Sequence, residues 1–375
     1  MKFSVERAIL LKALGHTQSV VEKRNTIPIL SNILLDAKAG ALKLTATDME
    51  IAIVEDVPGV EVAREGRCTA PAATLFEIVR KLPDGATIEF DHKGGDAPLA
   101  LRAGRFNTSL SVLPVEDFPS MTEGKLPHTF RLEARKLRGM LGRTRFAIST
   151  EETRYYLNGI YLHVTESEGR AVLRAAATDG HRLARVEEDA PAGSSGMPGV
   201  IIPRKTVNEL VKLAEETQDE IEFRLSDTKI AFRIGAVTLT SKLIDGTFPD
   251  YERVIPKNND KVLTVAKKAF ADAVSRVAAI SSERSRPVKL SLDRNHLLLS
   301  AAAAESGQAQ EELDESVVAY GSAPLEIGFQ ARYLADITDQ VNEQVEFRFS
   351  DGSAPTVVAD AADAGALYVL MPMRV

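Results

Sequence analysis

Several residue types are scarce in this sequence of 375 residues, and each scarcity excludes a class of protein. There is one cysteine and no tryptophan. The single Cys68 allows no internal disulfide and no cysteine-based metal site, so we expect it to be a small buried residue. No apolar run approaches the roughly 18 to 20 residues that a membrane span needs, and Glu6 interrupts the apolar pattern of the first residues, unlike a signal peptide. We therefore expect a soluble, cytoplasmic protein.

Motifs for metal binding and catalysis are also missing. The six histidines form no His-x-His or His-Glu-x-x-His spacing. Gly94-Gly95 is not followed by the Lys-Ser/Thr of a phosphate loop, and no Gly-x-Ser-x-Gly element occurs. Only Asp179 with His181 resembles acid–base chemistry. We expect no metal, no cofactor and no catalytic site, and an enzyme using Asp179 and His181 is the alternative of a different class.

One pattern of short motifs occurs three times in the same order. The opening strands begin at Phe3, Phe130 and Leu263, at offsets of 127 and 133 residues. Strands ending in small residues and an acid follow, at Asp48, Asp179 and Glu305. Later in each copy come Ile88-Glu-Phe, Ile221-Glu-Phe and Val345-Glu-Phe. A repeated order at a near-constant period indicates homologous domains.

The repeats predict three α+β domains, at residues 1–125, 126–256 and 257–375. Polar stretches that contain proline, at 124–127 and 256–260, have the character of linkers. Many short β-branched segments separated by Gly, Asp and Asn favour antiparallel sheets, with roughly eight strands in each domain. Each domain is thus expected to pack two helices on antiparallel sheets.

Positive charge is concentrated in the predicted helices, although the formal net charge of the chain is -7. Those helices carry 19 basic and 11 acidic residues, and the remainder carries 27 basic and 42 acidic residues. The predicted helices span residues 5–24, 71–82, 133–145, 203–216, 266–284 and 330–341. Such a protein can present a basic surface to a polyanion, whereas charged helix faces that are merely solvated are the plainer interpretation. Because basic residues are not interleaved with aromatics, any nucleic-acid contact is expected at phosphates and without sequence preference.

The repeat and its motifs together resemble the β sliding clamp family of bacterial DNA polymerase III over essentially the whole chain. The resemblance is carried by Arg24-Asn-Thr-Ile-Pro-Ile-Leu-Ser31, Ala46-Thr-Asp-Met-Glu50, Arg154-Tyr-Tyr-Leu-Asn-Gly159, Ala177-Thr-Asp-Gly-His-Arg-Leu183, Ile202-Pro-Arg-Lys205, Gly246-Thr-Phe-Pro-Asp-Tyr251 and Tyr368-Val-Leu-Met-Pro-Met-Arg374.

The resemblance implies a non-catalytic processivity factor for DNA replication. Two chains would join head to tail as a homodimer, forming a closed ring of six domains that encircles double-stranded DNA with its helices inside. Its partners would be the DNA polymerase III alpha subunit, the clamp loader, and other proteins with a clamp-binding motif, such as repair polymerases and ligase. A clamp paralogue used in repair or antibiotic tolerance is the nearest alternative, and lethality of a gene knockout would separate the two.

The resemblance also implies a hydrophobic groove that binds partner peptides. Its residues would be Arg154, Tyr156, Leu157, Thr178, Gly180, His181, Arg182, Leu183, Pro249, Arg253, Val254, Val369, Met371, Pro372, Met373 and Arg374. Flexible Met and branched apolar side chains suit short apolar-aromatic peptides from many partners.

Two further sets of residues are implied. DNA contacts would be Arg24, Arg80, Arg204, Lys205, Gln330 and Tyr333. The dimer interface would place Arg102, Arg105, Phe106 and Leu110 against Ala279, Ile280, Glu311, Glu312 and Asp314. The sequence departs from the family at Glu151, where a neutral amide would favour phosphate, and at Ser285, where some members carry an aromatic residue.

Overall fold

The computed structural model describes residues 1–22, 26–280, 287–304 and 306–374, and within them the chain forms six α-helices and 26 strands. The helices are α1 (Arg7–Val20), α2 (Ala72–Lys81), α3 (Ala134–Gly142), α4 (Arg204–Glu215), α5 (Lys267–Ala278) and α6 (Ala331–Thr338). The first strands are β1 (Lys2–Glu6), β2 (Asn32–Lys38), β3 (Ala41–Thr47), β4 (Ile51–Val57), β5 (Glu61–Arg64), β6 (Gly66–Pro71), β7 (Thr87–Asp91), β8 (Leu99–Ala103) and β9 (Phe106–Leu110). The next are β10 (His128–Glu133), β11 (Gly159–Ser167), β12 (Arg170–Thr178), β13 (Arg182–Asp189), β14 (Val200–Pro203), β15 (Glu220–Leu225), β16 (Lys229–Ile234) and β17 (Val237–Lys242). The last are β18 (Lys261–Ala266), β19 (Pro287–Asp293), β20 (His296–Ala303), β21 (Gly307–Leu313), β22 (Val318–Tyr320), β23 (Leu325–Gln330), β24 (Gln344–Phe349), β25 (Thr356–Asp360) and β26 (Asp363–Leu370).

The chain divides into two compact units. Unit 1 contains Met1–Arg138, Pro191–Pro198 and Lys205–Leu243, and unit 2 contains Gly139–Ala190, Gly199–Arg204 and Ile244–Val375. The residues of the middle repeat are therefore shared between the two units. The domain boundaries near 125 and 256 stay a prediction.

Each unit is built on one long and one short antiparallel sheet. Unit 1 has an eight-stranded sheet in the order β10-β15-β16-β17-β4-β3-β2-β6 and a five-stranded sheet in the order β5-β1-β7-β8-β9. Unit 2 has a nine-stranded sheet in the order β14-β11-β12-β13-β26-β25-β24-β18-β22 and a four-stranded sheet in the order β21-β20-β19-β23. In both long sheets, strands from neighbouring repeats are joined by backbone hydrogen bonds, at β17–β4 and at β13–β26.

The three repeats use the same cross-strand register. The opening strand of each copy pairs with the strand that contains Glu-Phe: Phe3 lies opposite Phe90, Phe130 opposite Phe223, and Leu263 opposite Phe347. The first two pairs stack, with ring centroids 4.7 Å and 4.6 Å apart. Because these positions are buried, the short motifs of the sequence are the core contacts that define each repeat.

The helices lie where the sequence predicts them, but most are shorter. The prediction starting α1 at residue 5 is wrong, because β1 continues to Glu6, whose carboxylate caps the helix by accepting the N–H groups of Ala8 and Ile9. Residues 23–24 and 281–284 of the predicted helices, and Glu305 of the third motif, lie outside the described residues. The helix predicted at 133–145 ends at Gly142, before a 3-10 turn at Arg145–Ala147. The helix predicted at 330–341 ends at Thr338, whose hydroxyl bonds back to the carbonyl of Leu334.

The expectation for Cys68 is confirmed. The residue lies on β6 and its side chain is buried. Burial raises the pKa of the thiol to about 11, so the thiolate is scarce near neutral pH and the residue is unreactive there.

His16 on α1 joins two acidic side chains inside unit 1. Its Nδ1 lies 2.9 Å from the carboxylate of Glu55 on β4, and its Nε2 lies 2.9 Å from that of Glu216, next to α4. Burial lowers the pKa of His16, but the hydrogen bonds and charges of Glu55 and Glu216 outweigh burial and raise the pKa above its ordinary value. Lys12, one turn earlier on α1, also pairs with Glu216. Protonated His16 thus ties α1 to the end of α4.

We expect His16→Gln to destabilise the protein more at about pH 6 than at about pH 9, because glutamine cannot carry the charge. A group with a raised folded-state pKa contributes stability fully below its ordinary pKa of about 6.5, and loses the contribution as the pH rises through the folded-state value. The expected loss near pH 6 is about 1 to 2 kcal/mol. Melting temperatures of both proteins across this pH range provide the measurement, with the half-buried His128→Gln as control. A shift independent of pH would contradict this role for His16.

Candidate functional site

The turn between β12 and β13 is held by the side chain of Asp179. Its Oδ1 accepts the backbone N–H groups of His181, at 2.9 Å, and Arg182, at 3.1 Å. Gly180 adopts a φ of 88°, and a Cβ at this position would lie 2.6 Å from a guanidinium nitrogen of Arg154. Glycine is therefore favoured by the backbone conformation, whereas a Cβ would displace only the flexible end of Arg154.

Arg182 is a buried cation with a full set of partners. The residue is 6% exposed, and its guanidinium donates to Asp179, at 3.1 Å, to Asp336 on α6, and to the carbonyl of Phe146, at 2.8 Å. It also lies 4.5 Å from the centre of the Tyr333 ring. The expected groove residue Arg182 is thus turned into the protein, where it links β13 to α6.

A cluster of buried apolar residues in unit 2, called the floor below, includes Leu183 of the strand that follows this turn. Its buried members are Leu157, Ala176, Leu183, Ile201, Phe248, Tyr251 and Val369, with Tyr156, Tyr161, Ile244, Ile255 and Leu367 packed against them. The structure therefore brings together Tyr156, Leu157, Leu183 and Val369 from the expected groove. Phe248 and Tyr251 were not among the expected groove residues, although both belong to the sequence motif at 246–251.

Three apolar side chains that are close in sequence to members of this cluster are exposed. Val254 is 53% exposed, Tyr155 is 54% exposed and Met371 is 40% exposed. Tyr155 was not expected in the groove; it forms an edge-to-face pair with Tyr156, with ring centroids 5.8 Å apart. Exposed apolar side chains of this size are candidates for contacts with a partner.

The C-terminal segment is fixed by two backbone hydrogen bonds. The N–H of Met371 donates to the carbonyl of His181 at 2.9 Å, and the N–H of Met373 donates to the carbonyl of Gly328 on β23 at 2.7 Å. Pro372, Met373 and Arg374 do not belong to the buried cluster. They line a cavity of about 590 Å³ together with Lys289 and Glu326. Of the terminal residues, Val369 is therefore in the floor and Met371 is tied to the Asp179 turn.

The remaining expected groove residues lie at the surface or in the turn. Arg154 donates to both carboxylate oxygens of Glu151, at 2.8 Å and 2.7 Å, and to the carbonyl of Asp179 at 3.0 Å. This pairing holds the pKa of Glu151 below its usual range. Arg253 is exposed and pairs with Asp250 at 2.7 Å, next to Pro249. The hydroxyl of Thr178 donates to the carbonyl of Arg182, which closes the turn.

The residues expected to contact DNA differ in whether an ion pair within the protein compensates their charge. Lys205 donates to the carbonyl of Val20 and to the carboxylates of Glu22 and Asp48, so its charge is already compensated within unit 1. Arg80 is exposed on α2 and pairs with Glu77. Gln330 ends β23, and Arg24 lies outside the described residues, as does Ser285.

Arg204 and Tyr333 lie together in unit 2. They line one cavity of about 400 Å³ with His181 and Arg182. Tyr333 stacks on His181, with ring centroids 6.1 Å apart, so this cavity brings two expected DNA contacts next to residues expected in the groove.

The expected interface residues lie largely on two sheet edges. Phe106 and Leu110 belong to β9, the terminal strand of the short sheet in unit 1, with Arg105 in the preceding turn and Arg102 on β8. Glu311 and Glu312 belong to β21, the terminal strand of the short sheet in unit 2. Ala279 and Ile280 follow α5, from which Arg276 pairs with Glu311. Asp314 caps its own loop by accepting the hydroxyl and N–H of Ser316.

The contact between Asp179 and His181 is structural. The carboxylate of Asp179 accepts the backbone N–H of His181, and its second oxygen accepts from Arg182. Within the described ranges, no group of three or more His, Cys, Asp and Glu side chains is arranged to hold a metal ion. None of the helices in the described part of the chain is long and apolar enough to cross a membrane.

Comparison with known proteins defines the class to which this chain belongs. Family models for the N-terminal, central and C-terminal domains of the DNA polymerase III beta subunit match residues 1–122, 131–250 and 252–374. The chain is 51% identical to the beta sliding clamp of Caulobacter vibrioides and 38% identical to that of Escherichia coli K12, covering 100% of each chain in both comparisons. A crystal structure of a DnaN sliding clamp from Bartonella birtlesii bound to griselimycin is 47% identical, with a TM-score of 0.96 and full coverage of both chains. A clamp from Pseudomonas aeruginosa bound to griselimycin is 39% identical, with a TM-score of 0.93 and full coverage.

The protein therefore belongs to the DNA polymerase III beta subunit family, the bacterial β sliding clamps. The resemblance inferred from the sequence is confirmed, as are the three homologous clamp domains. The chain is a DNA sliding clamp, an accessory subunit in DNA replication without catalytic activity, so the acid–base enzyme is not supported.

We expect Arg182→Ala to reduce the free energy of unfolding by about 3 kcal/mol or more, since it removes the buried cation of Asp179 and leaves Asp336 with only Arg332, at 3.6 Å. The exposed Arg253→Ala should change the same quantity by about 0.5 kcal/mol at most. Urea unfolding followed by circular dichroism compares the two variants. Similar small losses for both would show that Arg182 does not hold the turn.

Proposed function

We propose that this clamp acts as a head-to-tail homodimer, whose closed ring encircles duplex DNA without sequence preference, and that the groove of unit 2 tethers replication and repair proteins to it. The observation that carries the proposal is the exposed apolar surface of Val254, Tyr155 and Met371 beside the buried floor around Leu157 and Leu183. The sheets and helices supply the ring, and the groove supplies the attachment.

The groove fits a short peptide with apolar and aromatic anchors. Its floor contains Leu, Val, Ile and aromatic side chains, and Met371 adds a flexible side chain that adapts to different partners. The occupants we propose are the DNA polymerase III alpha subunit, the clamp loader, and other proteins with a clamp-binding motif, such as repair polymerases and ligase. His181, Arg154 and Arg253 provide polar groups around the apolar floor.

Two terminal strands support the proposed dimer interface. An edge strand presents unpaired backbone N–H and C=O groups, so β9 of one protomer can extend the sheet that ends at β21 of its partner. The exposed Phe106, with 42% of its surface accessible, supplies an apolar anchor, and Arg105 faces the acidic Glu311 and Glu312. Two such joints close a ring, because the contact is heterologous and rotationally symmetric.

DNA contact is proposed through phosphates. Arg80 and Arg204 remain candidates because their side chains are exposed, whereas Lys205 is better explained as a tie between α4 and the end of α1. Few contacts, all to the backbone, let the ring slide.

The groove predicts a specific loss of peptide binding. We expect Met371→Ala and Val254→Ala each to weaken the binding of a polymerase-derived peptide by about tenfold or more, since each removes an apolar anchor of about 1.4 to 2 kcal/mol. Fluorescence anisotropy of a labelled peptide measures the affinity.

Val262→Ala is the matched control for this test. Val262 is also an exposed valine of unit 2, 39% accessible, but it lies on β18. If Val254→Ala and Val262→Ala bind the peptide equally well, the groove is misplaced. Truncation of residues 371–375 is a harsher variant, because it also removes the hydrogen bonds to His181 and Gly328.

The ring predicts topological retention on DNA. Once loaded, the wild-type protein should stay on nicked circular DNA and be released when that DNA is linearised. Arg105→Glu with Phe106→Ala should abolish retention on the circle, because it places like charges together and removes an anchor of about 2 kcal/mol. Gel filtration before and after the circular DNA is linearised measures the fraction of protein that stays bound to DNA. Equal release of the wild type from circular and linear DNA would exclude encirclement.

A further inference from the structure

The cavity of about 400 Å³ in unit 2 is lined by an unusual excess of arginine. Four guanidinium groups line it, from Arg145, Arg182, Arg204 and Arg332, together with only two carboxylates, from Asp179 and Glu151. Neither Arg145 nor Arg332 belongs to the residues discussed above as DNA or peptide contacts. The lining therefore carries more positive charge than the protein itself compensates.

The two carboxylates are already occupied. Asp179 accepts two backbone N–H groups and the side chain of Arg182. Glu151 is held by both nitrogens of the Arg154 fork. Glu151 therefore stands beside the cavity as half of an ion pair, and its charge does not by itself repel an anion.

Two of the guanidinium groups are unpaired in the part of the chain that the structure describes, and a third is only partly compensated. Arg145 and Arg204 have no ion-pair partner in the part of the chain that the structure describes, and both are exposed. Arg332 approaches Asp336 only at 3.6 Å, and it shares that carboxylate with Arg182. Each free guanidinium offers a fork of N–H donors that matches the oxygens of a phosphate.

Hydroxyl groups complete the set of donors. The buried Ser149 lines the cavity and accepts the N–H of Glu151 through its oxygen, and a hydroxyl that accepts in this way can still donate one hydrogen bond. Thr150 and Tyr333 add two more hydroxyls to the lining. Converging guanidinium and hydroxyl donors without a free carboxylate form an anion site.

We propose that this cavity binds a backbone phosphate of the encircled DNA, with Arg145 and Arg332 as its new contacts beside Arg204. The proposal rests on the ring function proposed above. DNA is favoured over an acidic partner peptide because Arg204 and Arg332 stand in the first turns of α4 and α6, two of the helices expected to line the ring. Arg145 and Arg332 add donors beside position 151, where this chain has the ion-paired Glu151 and a neutral amide would favour phosphate.

The test compares two double variants of the full chain. In Arg145→Gln/Arg332→Gln the cavity loses two guanidinium groups, whereas Arg233→Gln/Arg294→Gln removes the same charge from exposed positions on β16 and in the β19–β20 turn. Binding of a short labelled duplex is followed by fluorescence anisotropy over a series of salt concentrations. The cavity variant should bind about fivefold to tenfold more weakly, and its slope of log K against log salt should fall by about 1, as expected for the loss of one phosphate contact. The control should change affinity by about twofold at most.

Further measurements separate the outcomes. Arg145→Lys/Arg332→Lys keeps the charge and should recover most of the salt slope but not all of the affinity, and melting temperatures verify that each variant is folded. If the cavity variant and the control bind DNA equally, the cavity proposal is wrong even though the wild type is retained on circular DNA. If the cavity variant loses affinity for the polymerase-derived peptide and not for DNA, the ligand is a carboxylate of the partner, which also overturns the proposal. Failure of the wild type to be retained on circular DNA would instead overturn the ring function.

Discussion

A guanidinium removed from water needs acceptors and opposite charge on each side, and Arg182 obtains them from three separate parts of unit 2. Asp179 lies in its own turn, Asp336 lies on α6, and the carbonyl of Phe146 comes from the 3-10 turn after α3. Removing Asp179 or Asp336 would leave the buried guanidinium with a single carboxylate partner, and removing Arg182 would leave Asp179 without its cation. The position of His181, the attachment of Met371 and the shape of the arginine-rich cavity all depend on this arrangement.

The first two repeats use the same aspartate turn with different cations. In unit 1, Asp48 accepts the N–H groups of Glu50 and Ile51 through one oxygen, as Asp179 does for His181 and Arg182 in unit 2. The other oxygen of Asp48 binds Lys205, 157 residues away, whereas that of Asp179 binds Arg182, three residues away. At Asp48 the cation therefore comes from another repeat, and at Asp179 it comes from the turn itself and continues to Asp336.

Ion pairing determines which basic residues of the helices can bind an external anion. A count of basic residues treats Lys205, Arg80 and Arg204 alike, yet their charges differ in availability. Lys205 is compensated by Glu22 and Asp48, Arg80 pairs with an exposed glutamate on its own helix, and Arg204 is free of ion pairs within the described residues. A local excess of unpaired arginine is a stronger indication of phosphate binding than the net charge of a helix, because paired charges contribute little to the field at a distance.

The sequence by itself determined the three repeats, the α+β class, the helix positions and the family. These features are local: apolar periodicity, turn residues and short motifs act within a few residues, and the same motifs reappear as the pairs Phe3–Phe90 and Phe130–Phe223. The burial of Leu157, Leu183 and Val369 could also be predicted, since all three side chains are apolar. Only the tertiary structure decided which charges are free, that Arg182 faces inward, that Tyr333 belongs beside His181, and that Arg145 and Arg332 share a cavity with Arg204. Those outcomes depend on partners far apart in the chain, and the availability of a charge is set by its nearest opposite charge in space, which no local pattern encodes.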